Sequence, residues 1–257
     1  IRVLHAGSFK DDATRLLRAA RYASRFGFDL TESSLEQALA SADYVKTISP
    51  DRFRHELERV FDEPRARVAL AMLHEWRALD AYLPGLELAP EPWLRFESAR
   101  PRNAPERRAV AFGLLALAAG TPSLAVSLNL GADASRTVRD ALSLGRELGA
   151  MKPDEMRPSA LVRWLDRFDP LAVTASAMFS ADVGIRAKLN EYLDTLRHVR
   201  PSLDGNDLIA LGMPQGPMVG RGLEALRDAR LDGQVSSPEQ EAALARSFVS
   251  RTEGRPD

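Results

Sequence analysis

Residues 8–28 read SFKDDATRLLRAARYASRFGF, and their spacing is typical of an amphipathic α-helix. Leu16, three alanines and Phe26 repeat every three to four positions on one face, while four arginines repeat on the opposite face. Gly27 follows, and glycine commonly ends a helix. The stretch therefore predicts a helix from Asp11 to about Phe26 that buries one face and exposes the other.

The rest of the chain has the same helical period, and beyond residues 1–4 no run of alternating β-branched residues predicts a strand. Caps, prolines and glycines predict helices over 31–42, 49–61, 64–83, 105–119, 122–129, 133–149, 158–168, 170–180 and 184–199, and a last one from Ser237. The expected fold class is all-α, an elongated array of helical hairpins with at most a short N-terminal strand.

Composition changes along the chain predict its division. Five prolines lie within the 22 residues 84–105, and six glycines and two prolines lie within 204–233. We therefore expect a helical unit at 1–84, a Pro-rich linker at 85–105, a second helical unit at 106–200 and a differently built final unit at 201–257.

The overall charge excludes a global nucleic-acid footprint. The 257 residues include 35 Lys and Arg against 36 Asp and Glu, so any RNA contact must be local. There is no cysteine, which excludes disulfides and thiolate metal sites and favours a cytoplasmic setting. The uncharged run at 109–132 is broken by Gly120 and Pro122, so two short buried helices are expected there and not a membrane span.

Motifs for metal binding or hydrolysis are incomplete. His55-Glu56 and His74-Glu75 open like a zinc-protease helix, but neither has a second histidine four positions after the first. The spacing of glycines at 220–225 matches a dinucleotide-binding turn without its preceding strand, so helix packing is expected. We predict no catalytic residue and no metal ligand in this chain.

Asp12 and Arg15 leave two interpretations open. They can cap the helix and form a local ion pair, worth about 0.3–1 kcal/mol at an exposed site. They can instead present an acceptor and a two-pronged donor to the edge of a nucleobase, which discriminates between bases by about 1–3 kcal/mol. Spacing alone favours the first interpretation, because acids are common at helix starts.

Three segments together resemble one family. Asp11-Asp12-Ala-Thr-Arg15, followed by LRAARY at 17–22, is similar to the Glu-Asp-x-x-Arg and Leu-Arg-Ala-x-Arg-Phe pattern in the neck of class II tRNA nucleotidyltransferases (CCA-adding enzymes) and bacterial poly(A) polymerases. ISPDRFRHELERVF at 48–61 resembles the next neck motif, and residues 203–233 resemble the tail of longer bacterial members. The region 85–200 matches only in its helical character. By this resemblance 1–84 is a neck, 106–200 a body and 201–257 a tail.

The resemblance implies a role for each matching residue. Asp12 would accept a hydrogen bond from the exocyclic amino group of incoming CTP or ATP, Arg15 would donate to the ring edge, and Asp11 would be an accessory carboxylate in place of the usual Glu. The residues expected to brace this helix are Arg52, Glu56 and Asp51. The candidates for RNA binding are Arg18, Arg21, Arg25, Arg59, Arg100 and Arg102.

The family's catalytic head domain, with its metal-binding aspartates, has no counterpart in this sequence, and IRVLH at 1–5 resembles the last strand of such a head. The resemblance implies a portion that selects nucleotides and binds tRNA or another RNA 3′ end, is inactive alone and holds no cofactor, whereas the complete enzyme uses Mg²⁺ and CTP or ATP. Whether that enzyme adds CCA, CC, A or poly(A) depends on head elements. The alternative is a free-standing helical adaptor that binds RNA or protein, in which Asp12 and Arg15 are a relic of the template pair.

Overall fold

The all-α class predicted from the helical period is confirmed. A computed structural model describes residues 1–99 and 103–253, and the side chains of these residues up to 249. Within those ranges the chain forms fifteen α-helices and three short 3-10 helices, and no strand occurs, residues 1–4 included. Arg100 and Arg102, two of the predicted RNA-binding residues, lie outside the described residues.

The chain divides into two compact units. The first comprises Ile1–Met151 and Phe168–Arg186, and the second Lys152–Arg167 and the chain from Ala187 onward. The helices of the first unit are α1 (Ser8–Asp11), α2 (Thr14–Phe26), α3 (Glu32–Ser41), α4 (Pro50–Phe61), α5 (Ala66–Glu75), α6 (Pro90–Ser98), α7 (Ala104–Ala119), α8 (Leu124–Ser127), α9 (Ala132–Leu148) and α11 (Pro170–Phe179). The others are α10 (Pro158–Leu165), α12 (Val183–Asp194), which begins in the first unit, α13 (Gly205–Ala210), α14 (Pro217–Leu231) and α15 (Pro238–Glu253).

Helix α2 packs against α4 and α5, as its apolar face predicts. Leu16, Leu17 and Ala20 of α2 are fully buried, and they share one core with Phe53 and Leu57 of α4. Side chains at positions three and four apart lie on one face of a helix, so this pattern buries a continuous stripe. The opposite face of α2 is left for its arginines.

Capping residues explain the predicted end of α2 and the predicted start of α4. Gly27 has φ 68°, a left-handed conformation that glycine adopts without a steric penalty, and the backbone N–H of Phe28 donates to the Ala23 carbonyl at 3.0 Å. At the start of α4, the Ser49 hydroxyl accepts a hydrogen bond from the Arg52 backbone N–H, and Pro50 occupies the first turn. These local signals were sufficient to predict both boundaries.

The Pro-rich segment differs from the predicted linker. Residues 90–98 form α6, because its prolines lie in the first turn, where a missing N–H leaves no helical hydrogen bond unmade. Trp93 and Phe96 are buried in the first unit's core, and the Trp93 ring stacks on Phe61 at 6.2 Å between centroids. Apolar packing thus joins residues of the predicted neck to α6, and the division into neck, body and tail stays a prediction.

Helices α7, α9 and α11 pack as a close three-helix group. Gly113 of α7 makes this approach possible, since a Cβ atom at this position would lie 2.9 Å from the Cβ of Ala175 in α11. Arg107 of α7 is buried and donates through Nε to the Phe61 carbonyl at 2.6 Å. Residues 109–116 of the uncharged run are all buried, whereas Val126 is 84% exposed. No helix within the described ranges is long and apolar enough to cross a bilayer.

The second unit has a small core of its own. Leu208, Met213, Leu226 and Ala245 are buried together. A Cβ atom at Gly222 would lie 2.7 Å from the Met213 sulfur, so this glycine serves helix packing, as predicted. The glycine-rich region 204–233 therefore forms α13 and α14 and holds no strand within these residues.

Candidate functional site

The predicted pair lies at a break between two helices. The single helix predicted from Asp11 to Phe26 is wrong at its start, because Asp12 has φ −149° and ψ 100° and ends α1, while Ala13 is the cap of α2. Asp12 accepts a hydrogen bond from the backbone N–H of Thr14, two residues on, in the manner of an Asx turn. This local hydrogen bond stabilises an extended backbone at Asp12 in place of a continuous helix, so Asp12 lies before the first turn of α2.

The Asp12 carboxylate is held by two neighbours. Its Oδ1 accepts from the Thr14 backbone N–H at 3.1 Å, from the Thr14 hydroxyl at 2.7 Å and from Arg52 Nη2 at 3.1 Å. Burial alone would raise the pKa of the Asp12 carboxyl, but the Thr14 hydrogen bonds and the charges of Arg52 and Arg18 outweigh it and hold that pKa below its ordinary value. Asp12 is therefore a fixed, ionised acceptor with 27% of its side chain exposed.

Arg15 is held by α1 and not by Asp12. Its Nη1 donates to the Ser8 carbonyl at 3.1 Å and to the Ser8 hydroxyl at 2.8 Å. Arg15 lines an open cavity of about 630 Å³ together with His5, Arg18 and Tyr22. The structure thus brings acceptor and donor to the same helix start, with each side chain anchored by a different residue.

The other predicted carboxylates at this end have separate contacts. Asp11 is exposed at the end of α1, with Oδ2 3.7 Å from His5 Nε2. Asp51, predicted to brace the helix, accepts instead from Arg54 Nη2 at 2.9 Å and from Asn129 at 3.2 Å. Position 51 lies in the first turn of α4, so its carboxylate meets its own helix and the Asn129 turn.

Glu56, one of the residues expected to brace the base-reading helix, contacts α2 through Arg18. Its side chain is 6% exposed, and Oε1 accepts from Arg18 Nε at 3.2 Å and from Arg59 Nη1 at 2.7 Å. Two predicted RNA-binding arginines are therefore tied to one buried carboxylate. Arg18 and Arg59 remain 44% and 54% exposed, so both guanidinium groups stay accessible to solvent.

Glu63 is a second buried carboxylate, which the sequence analysis missed. Arg25 Nε donates to its Oε2 at 2.8 Å, and Arg21 Nη1 lies 3.9 Å from its Oε1. Glu63 lies just beyond the end of α4, and it follows Glu56 by seven residues, as Arg25 follows Arg18, so this equal spacing was the available signal. Ion pairs of Glu56 and Glu63 thus connect α2 to α4 and to the turn that follows it. We call this set of side chains the arginine–glutamate ladder; its members are Arg18, Arg21, Arg25, Glu56, Arg59 and Glu63.

The ladder retains positive charge. Four guanidinium groups meet two carboxylates, so two positive charges within these six side chains are uncompensated. The first unit thus presents a local basic stripe although the chain as a whole is close to neutral. Across the described residues, no group of three or more His, Asp or Glu side chains is placed to hold a metal ion.

Comparisons with known proteins agree with this architecture. Residues 27–89 match the family model described as "Probable RNA and SrmB- binding site of polymerase A". The chain is 29% identical over 243 residues to the CCA-adding enzyme of Geobacillus stearothermophilus, covering 90% of this chain and 59% of that protein. It is also 29% identical over 252 residues to the CC-adding tRNA nucleotidyltransferase of Deinococcus radiodurans, covering 97% and 56%.

Solved structures show the same fold. The Thermotoga maritima CCA-adding enzyme complexed with tRNA matches with a TM-score of 0.80 at 18% identity, over 97% of this chain and 64% of that one. A CCA-adding enzyme in complex with ATP matches with a TM-score of 0.77 at 19% identity, over 100% and 64%. The chain spans less than two thirds of the length of these relatives. In its neck motifs, its matching RNA-binding region and its helical fold, the chain is similar to tRNA nucleotidyltransferases (CCA-adding enzymes) and bacterial poly(A) polymerases.

Proposed function

We propose that this chain selects the incoming nucleotide and binds the RNA 3′ end for a tRNA nucleotidyltransferase or poly(A) polymerase. The observation that carries the proposal is that a fixed carboxylate, Asp12, and a fixed guanidinium, Arg15, both lie at the start of α2, each held by a different neighbour. The two groups present an acceptor and a donor from one helix end. This is the complement of a base edge that offers an amino group beside a ring nitrogen.

The chemistry of the bases explains which nucleotides this pair accepts. Cytosine and adenine both carry an exocyclic amino donor beside an unprotonated ring nitrogen, so Asp12 accepts from the first and Arg15 donates to the second. Uracil and guanine place a carbonyl beside a protonated ring nitrogen. They would set acceptor against acceptor and donor against donor, and each unmade hydrogen bond to a charged group costs about 1.5–3 kcal/mol.

The arginine–glutamate ladder supports binding of RNA through its backbone. Exposed guanidinium groups such as Arg18 and Arg59 suit phosphate oxygens, and such contacts position a nucleic acid without reading its sequence. The Thermotoga relative with this fold was solved in complex with tRNA. We propose tRNA, or another RNA 3′ end, as the partner of this surface.

The transfer reaction itself is assigned to a catalytic head domain outside this chain. Among the described residues, no group of three or more carboxylate or histidine side chains is placed to hold a metal ion. CTP or ATP and Mg²⁺ belong, in this proposal, to the complete enzyme. The chain alone is expected to bind RNA without adding nucleotides.

Two measurements test the proposal. The first mixes the chain alone with tRNA, CTP, ATP and Mg²⁺, where addition of CMP or AMP to the RNA would contradict its assignment as a non-catalytic portion. The second introduces Arg15→Ala into the complete enzyme. We expect loss of discrimination against UTP and GTP with tRNA affinity nearly unchanged. An equal loss of tRNA binding, or unaltered nucleotide choice, would instead favour a helical adaptor whose pair has no template role.

A further inference from the structure

We propose that Ser8 and Thr14 are positioning residues, which anchor one atom of Arg15 and one of Asp12 so that the remaining polar atoms face the base. This inference rests on the proposed template role of Asp12 and Arg15. Ser8 lies in α1 and Thr14 opens α2, so the two residues flank the helix break. Neither has another function in the site described above.

The hydrogen bonds of Asp12 are unevenly divided between its two oxygens. Oδ1 accepts all three of the hydrogen bonds described above, two from Thr14 and one from Arg52. No donor from the described residues reaches Oδ2, although 27% of the side chain is exposed. A carboxylate can accept at both oxygens, so Oδ2 is the atom available to the amino group of a base.

Arg15 shows the same division. Both of its hydrogen bonds leave from Nη1, one to the Ser8 carbonyl and one to the Ser8 hydroxyl. A guanidinium has five N–H donors, so the two on Nη2 and the one on Nε stay available within the described part of the chain. Because the guanidinium is planar, fixing Nη1 at two points also fixes the direction of the remaining donors.

The helix break makes this arrangement possible. In a continuous helix the Asp12 side chain could not accept from the N–H of Thr14, because that bond needs a non-helical backbone at residue 12. The Ser8 carbonyl, in the first residue of the short α1, accepts both from the Asp12 backbone N–H at 3.4 Å and from Arg15 Nη1 at 3.1 Å. The Thr14 hydroxyl donates a hydrogen bond to Asp12 Oδ1 with a distance of 2.7 Å between the two oxygens, so it helps to orient the carboxylate directly.

The test compares Thr14→Val with Thr14→Ser in the complete enzyme. Valine has the shape of threonine without the hydroxyl, whereas serine retains it. We expect Thr14→Val to lower the preference for CTP over UTP by roughly tenfold, the loss of one hydrogen bond to a charged group, while Thr14→Ser restores it. Ser8→Ala should lower the same ratio by a smaller factor, because the Ser8 carbonyl still holds Arg15.

The readout is the ratio of kcat/KM values for CTP and UTP, which a loss of folding alone does not change. Thr47→Val serves as a matched control, since the Thr47 hydroxyl also makes one hydrogen bond, to the Tyr44 carbonyl, away from the pair. If Thr14→Val slows all nucleotides equally and leaves the ratio unaltered, Thr14 is only a structural cap and the inference is overturned. Asp12→Ala and Arg15→Ala are run in parallel. If these leave the ratio unchanged, the proposed function fails and the inference fails with it.

Discussion

The function proposed for this chain depends on a few side chains whose neighbours set their protonation and direction. Asp12 is the clearest case: Thr14 and Arg52 keep its carboxyl ionised against the effect of its partial burial. The sequence pattern indicated Asp12 and Arg15 but predicted both to lie in one continuous helix. Ser8 and Thr14 were not predicted as partners, because short-range side-chain hydrogen bonds compete with helix continuation and leave no trace in helical periodicity.

The pKa of Asp12 provides a prediction at this scale. Removing the Thr14 hydroxyl or the Arg52 charge should raise this pKa toward its ordinary value, because each stabilises the charged form. The lowered pKa also determines how the stability of the fold depends on pH. A lowered folded-state pKa contributes stability that is fully present above the ordinary Asp pKa of about 3.9 and is lost as the pH falls through the folded-state value.

Carbon-13 NMR titration of Thr14→Val and Arg52→Ala measures the effect directly. Asp43 is the internal control, because the hydrogen bond and charge of Lys46 lower its pKa independently of Thr14 and Arg52. An Asp12 pKa that is equally low in both variants would contradict the assigned causes.

The helices of the first unit are joined by buried contacts between elements distant in sequence. Glu63 is 1% exposed and accepts from Arg25, 38 residues earlier in the chain. Gly113 allows close packing of α7 on α11. The sequence patterns predicted that these elements are helices, but not which of their side chains meet.

Glu63→Gln should destabilise the first unit by about 1.5 kcal/mol, the low end for a hydrogen bond to a charged group, because Arg25 is 45% exposed and solvent screens its charge. The substitution keeps the size of the side chain but leaves the guanidinium groups of Arg21 and Arg25 without their countercharge. Urea unfolding of the chain measures the change in free energy. Glu36→Gln is the control, since Glu36 is exposed and surface substitutions usually stay within about 0.5 kcal/mol. Equal stability of the two variants would show that the ladder contributes little.

Gly113→Ala should destabilise the chain by about 1–3 kcal/mol, because the added methyl group meets Ala175 on a neighbouring helix and the backbones must separate. Gly220→Ala is a matched control, since Gly220 lies inside α14 without a positive φ and has open space around a Cβ atom. The control should be neutral or stabilising by about 0.4–1 kcal/mol. Thermal unfolding of both variants checks the prediction, and a neutral Gly113→Ala would mean that α7 and α11 separate at no cost.

At the scale of the whole molecule, a chain of nearly zero net charge carries a basic stripe in its first unit. Its 36 acidic residues balance 35 basic ones, yet the ladder places four arginines around two buried glutamates. Total charge therefore gave no indication of the basic stripe proposed to bind RNA, and only the family resemblance pointed to these arginines. Their pairing with Glu56 and Glu63 depends on the packing of α2 beside α4.

RNA binding by the chain should weaken as salt is added, because phosphate contacts release counterions. Arg59→Gln should weaken binding to tRNAs of different sequence to a similar degree and reduce the slope of log affinity against log salt by about 1. Arg77→Gln is the control: Arg77 is also exposed and pairs with an acid three residues away, but it lies outside the ladder. Fluorescence anisotropy with labelled tRNA measures both. A binding constant independent of salt would contradict a phosphate-binding surface.

The helical class, most helix ends and the candidate pair were all encoded in short segments, since helix period and caps depend on residues within about four positions of one another. The partners of the functional side chains were not encoded locally. Arg52 reaches Asp12 across 40 residues, and Arg18 reaches Glu56 across 38. Apolar burial brings α2, α4 and α5 together, and this packing sets which carboxylate each arginine meets and which atoms of Asp12 and Arg15 stay available.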